Sequence, residues 1–89
     1  MESSHGLIIV HAHIRDKMIA GEFWGRMENL PGERLSKTVY QMNIADWDER
    51  DWQEEIEWLK DLFEGTSESA IIWRFRDGYF LRLRVSQNY

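Results

Sequence analysis

Residues 48–64 read DERDWQEEIEWLKDLFE and residues 70–85 read AIIWRFRDGYFLRLRV; how these two stretches face each other decides the fold. In the first, Trp52, Ile56, Leu59 and Phe63 recur at i, i+4, i+7 and i+11, the spacing of one helical face, and Glu54, Glu57, Asp61 and Glu64 fall on the other side. The pattern predicts an amphipathic helix over 48–64 with an acidic back. Asp48 stands at the N-cap, Trp47 and Trp52 at the N′ and N4 positions of a hydrophobic staple, and Gly65 supplies the stop.

The second stretch predicts a β-hairpin over 70–85. A three-residue loop, Arg76-Asp77-Gly78, pairs Phe75 with Tyr79, Trp73 with Leu81 and Ile71 with Leu83, which gives the helix a wholly apolar face. The reverse then carries Ile72, Arg74, Arg76, Phe80, Arg82 and Arg84. A two-residue turn at Asp77-Gly78 would mix arginine with apolar residues on both faces. Burying an unpaired charge costs several kcal/mol, so the three-residue loop is the expected register.

Working back toward the N-terminus, Leu7–Ile14 reads as a central strand with Ile8, Val10, Ala12 and Ile14 inward. In Ile19–Glu28, the residues Ile19, Phe23 and Met27 alternate with Glu22, Trp24, Arg26 and Glu28, which suits a strand. A helical stripe of Ile19, Phe23, Met27 and Leu30 competes with it, but Gly21 and Gly25 would each cost that helix about 1 kcal/mol. Pro31-Gly32 reads as a turn, and Ser36–Ile44 as a third strand with Tyr40, Met42 and Ile44 on one face. The expected architecture is a single α+β domain over 1–89, with residues 1–5 as a flexible tail. Its antiparallel sheet has about five strands, in the chain order βββαββ, with one helix across one face.

Composition narrows the function. The chain has 89 residues, a net charge of −5, 43% hydrophobic residues and no Cys, which excludes a disulfide framework and any Cys-based metal site or nucleophile. No apolar run reaches membrane-spanning length and Leu7–Val10 is too short for a signal core, so a soluble, cytoplasmic protein without membrane contact is expected. Charge is segregated: residues 46–69 carry ten acids against Arg50 and Lys60, and residues 70–89 carry four arginines against Asp77.

Chemistry-bearing motifs are sparse. His11-Ala12-His13 on a strand would place both imidazoles on one side, a weak candidate for two metal ligands that lacks a third. No nucleophile elbow and no glycine-rich phosphate loop is present, so no enzyme activity and no cofactor are expected. Three binding readings remain. The first is a noncatalytic protein-binding module, a small acidic bacterial or phage inhibitor of anti-CRISPR, anti-restriction, immunity or antitoxin type. Its acids Asp51, Glu54, Glu55, Glu57 and Asp61, with Trp58 and Trp24 as exposed aromatics, would occlude the basic cleft of a nucleic-acid-processing protein. The second is RNA or single-stranded DNA binding through Arg74, Arg76, Phe80, Arg82 and Arg84. The third is a structural homo-oligomer built through the opposite charges of its faces or the hairpin edge.

Overall fold

The computed structural model describes residues 6–43, 47–76 and 78–86; the expected tail at 1–5, Ile44 of the expected third strand, and the side chains of Arg76, Tyr79 and Phe80 lie outside the described part. The elements are β1 (Leu7–His11), α1 (Lys17–Glu28), β2 (Gly32–Arg34), β3 (Val39–Asn43), α2 (Glu49–Leu62), β4 (Ser69–Arg76) and β5 (Tyr79–Ser86). One five-stranded antiparallel sheet has the order β2-β3-β1-β4-β5. The first six elements form a β-α-β-β-α-β unit, the split β-α-β topology, and β5 extends it at one edge. Both helices cover the same face, because Phe23 of α1 and Phe63 after α2 join Ile8, Val10, Tyr40, Met42, Ile72 and Val85 in one core.

Helix α2 is built as its sequence reads. Asp48 accepts from the Asp51 N–H at 3.0 Å while the Asp51 carboxylate accepts from the Asp48 N–H at 3.0 Å, a complete capping box. Trp47 and Trp52 meet edge to face at 5.3 Å, and Gly65 turns the chain at φ +77°. Trp52, Ile56, Leu59 and Phe63 are all buried.

The expected strands are trimmed, since β1 stops at His11 rather than Ile14 and β3 starts at Val39 rather than Ser36, and two larger expectations need correction. Residues 19–28 are not a strand but most of helix α1, so the chain order is βαββαββ. Asp16 caps this helix by accepting from the N–H groups of Met18 and Ile19, at 2.9 and 3.1 Å. Gly21 and Gly25 face solvent with no neighbour near a hypothetical Cβ. Their propensity cost is offset by the burial of Phe23, Trp24 and Met27. The missing strand is supplied by β2, whose first residue, Gly32, must lack a side chain, because a Cβ there would collide with the Gln41 carbonyl oxygen and sit 2.8 Å from the Tyr40 ring.

The second correction is the hairpin register. The turn is two residues long, with Gly78 at φ +81°, so that Arg76 pairs with Tyr79, Arg74 with Leu81, Trp73 with Arg82 and Ile72 with Leu83. Strand β5 keeps its expected faces, and β4 is turned over. Ala70 and Ile72 lie buried under the helices, whereas Ile71 and Trp73 are half-buried and Phe75 is exposed on the open face. The penalty anticipated for Arg74 is avoided, since its guanidinium stacks 4.6 Å from the Trp52 ring centroid and pairs with Glu49 at 3.5 Å. Among the described residues, no helix is long and apolar enough to cross a membrane.

Candidate functional site

Three arginines on the helix-covered side share one arrangement: each stacks on a tryptophan and pairs with a glutamate. Arg26 lies 5.3 Å from the Trp58 ring centroid and pairs with Glu55, Arg34 lies 4.2 Å from Trp24 and pairs with Glu28, and Arg74 lies over Trp52 and pairs with Glu49. A guanidinium over an indole gains roughly 0.5–2 kcal/mol and covers the ring. The stacks account for Trp24 and Trp58, two of the tryptophans outside the buried stripe of α2.

They also revise the expected binding residues. Trp24 is buried beneath Arg34, not exposed on a polar strand face. Glu55 is buried at 5% exposure, with Oε1 2.7 Å from Arg26 Nη2 and Oε2 3.0 Å from Nε, so this carboxylate is turned inward and holds α1 to α2. The same hydrogen bond raises the Arg26 pKa above its already high ordinary value, against the opposing effect of burial. Asp51 is half-buried and engaged in the capping box.

What remains outward is a compact acidic surface. Glu54, Glu57 and Asp61 are exposed on α2 and fall within about 60° of one another around its axis. Glu64 continues the line past the helix end; of the bases on this helix, Arg50 falls on the same face one turn before Glu54, and Lys60 lies about 60° beyond Glu57. Between α1 and α2 runs an open groove of about 510 Å³ lined by Glu22, Arg26, Trp58, Asp61 and Leu62. Trp58 is half-buried here, and the adjoining Arg26 is already neutralised by Glu55, so Glu22 and Asp61 set the sign of the groove. Glu22 was not among the expected binding residues. Its position four residues before Arg26 on a helix was the available signal, hidden by the strand reading.

The expected arginine face is divided. Arg74 lies on the helix side, and Arg82 and Arg84 are exposed on the opposite side, across from Trp73 and Ile71. Arg76 and Phe80 belong to the hairpin strands, but their side chains lie outside the described part. His11 closes β1 with its ring 6.5 Å from Trp73, and His13 is exposed beyond the strand end. Among the described residues, no group of three His, Cys, Asp or Glu side chains is gathered to hold a metal ion.

The buried Glu68 serves the fold. Its carboxylate accepts from the Arg15 N–H at 3.3 Å and from the Asp16 N–H at 3.0 Å, fixing the entry to α1. Nearby, Thr66 donates from its hydroxyl to the Phe63 carbonyl at 2.7 Å and accepts from the Glu68 N–H at 3.0 Å. Compared with protein-family models, with curated proteins and with solved structures, the chain matches none.

Proposed function

We propose that the chain is a noncatalytic protein-binding module whose helix layer docks into a basic cleft. The observation that carries the reading is the groove between α1 and α2, where the half-buried Trp58 lies between Glu22 and Asp61 and beside the exposed Glu54 and Glu57. Arg26 already stacks on this ring, so a partner's arginine or lysine would pack its stem along the remaining groove wall of Trp58 and Leu62 and meet the Glu22 and Asp61 carboxylates with its head. Along α2 the outward acids fall about every 4.5–6 Å in a row, a linear array of negative charge sparser than the ~3.4 Å axial spacing of phosphates along one DNA strand. A row of negative charge is what supports the finer reading, an inhibitor that occupies a nucleic-acid-processing protein in place of its substrate. A predominantly acidic surface, here four acids with Arg50 among them, also speeds encounter with an oppositely charged cleft.

The test is capture of a stoichiometric partner from a bacterial lysate, followed by binding kinetics of the purified pair. Replacing Glu22, Glu54, Glu57 and Asp61 together by Gln or Asn should lower the association rate by about tenfold or more and flatten its salt dependence, with folding unchanged. Trp58→Ala should mainly speed dissociation. Unaltered kinetics in both variants would remove this surface from the function.

A further inference from the structure

The far edge of the sheet offers a second surface, remote from the acidic groove. Strand β5 is eight residues long and, among the described residues, pairs only with β4. Because Arg76 and Tyr79 close a two-residue turn, they exchange the first pair of hydrogen bonds, and the alternation of an antiparallel ladder then aims the backbone groups of Leu81, Leu83 and Val85 at β4. By the same alternation the backbone N–H and C=O groups of Arg82 and Arg84 point out along the free edge.

The side chains on this edge fall into two classes. On the helix side Leu81 is 60% and Leu83 45% exposed, and both border an apolar groove of about 190 Å³ floored by Trp52, Ile56 and Ile72. On the open side Arg82 and Arg84 are exposed, and among the described residues neither makes an ion pair. A second copy of β5 is a poor occupant. Residues opposite one another in an antiparallel pair share a face, so the two longest two-fold registers of β5 with itself, centred on Arg82 and on Leu83, set arginine against arginine of the other copy, a repulsive arrangement, and registers that avoid this clash overlap over fewer residues. A polyanion would use the arginines but would leave the leucines and the backbone edge unsatisfied.

We propose that β5 is a docking edge for an extended segment of a partner protein, added antiparallel as a sixth strand. Its acidic residues stand opposite Arg82 and Arg84, and its intervening apolar residues lie beside Leu81 and Leu83. Backbone pairing supplies affinity, and the alternation of acidic and apolar residues supplies register and specificity.

The probe is a blocked heptapeptide alternating Leu or Val with Glu, compared with its Lys counterpart by NMR titration of the isotopically labelled chain. The Glu peptide should shift and protect the amides of Arg82 and Arg84 and leave those around Trp58 unmoved. Arg82→Glu combined with Arg84→Glu should weaken the Glu peptide about tenfold and transfer preference to the Lys peptide. Arg84→Pro removes an outward N–H that β4 does not use, and should abolish binding with the far-ultraviolet dichroism unchanged. If that variant unfolds, the charge reversal at exposed sites still decides the matter. Equal binding of the two peptides, shifts confined to the helix groove, self-association mapped to β5, or binding of an oligothymidylate in preference to the Glu peptide would each overturn the proposal. Trp58→Ala should leave peptide binding intact, so failure of the groove as a function does not entail failure of this edge.

Discussion

The two helices lie side by side over the same sheet and owe their stability to different sources. Helix α2 carries its own instructions: a reciprocal capping box, a tryptophan staple and a clean separation of apolar from acidic faces. Helix α1 has an N-cap but no acid in its first turn, and it carries two solvent-facing glycines. It is held from outside, by burial of Phe23, Trp24 and Met27, by the Arg26–Glu55 pair, and by Glu68 gripping its entry. A helix of marginal propensity is thus a tertiary product, and tertiary context outweighs the local terms when they conflict.

That contrast can be broken most forcefully at Phe23, which is fully buried and stacks 6.1 Å from Phe63. Phe23→Ala should cost about 3–5 kcal/mol in urea unfolding and detach α1 first, seen as early hydrogen exchange in residues 17–28. The Arg26–Glu55 pair gives a directional test, since Glu55 is buried and the Arg26 side chain is 42% exposed. Arg26→Leu strands a carboxylate in the interior and should cost about 3 kcal/mol, whereas Glu55→Gln leaves a guanidinium that reaches water and should cost about 1 kcal/mol. Equal losses would mean that the pair is screened as a surface bridge is.

Gains are available on α1 that α2 does not offer. Gly21→Ala with Gly25→Ala should raise unfolding stability by about 1–2 kcal/mol in total, as both positions are open and helical. Smallest is the comparison of caps: Asp16→Ala and Asp48→Ala should each cost about 1 kcal/mol, with Asp48 the larger because it also dismantles the reciprocal bond to Asp51.

The same division governs what could be read from the sequence. Helix α2, its cap, its staple and its four buried residues were legible because every local signal agreed. In α1 the signals disagree: the two glycines and an alternating pattern outweigh the helical stripe in a local reading, and the Asp16 cap that favours the helix plays no part in it. The hairpin erred for a related reason: Asp77-Gly78 is a strong two-residue turn signal, but binary patterning assigned Arg74 to solvent. That a buried-side arginine can be housed by an indole and a carboxylate depends on Trp52 and Glu49, residues more than twenty positions away. The acids Glu54, Glu57 and Asp61 are exposed as read. The roles of Trp24 and Glu55 required knowledge of α1, and so lay beyond a local reading.

Strand order carries a consequence for the timing of assembly. The ribbons β2-β3 and β4-β5 join neighbours in the chain and can close in microseconds. Strand β1 instead pairs Leu7 with Asn43 on one side and with Phe75 on the other. It links two ribbons that would each be marginal alone. During synthesis β1 leaves the ribosome long before β4 exists to cover its second edge, so the nascent chain holds its central apolar strand half-paired until the β4-β5 hairpin emerges.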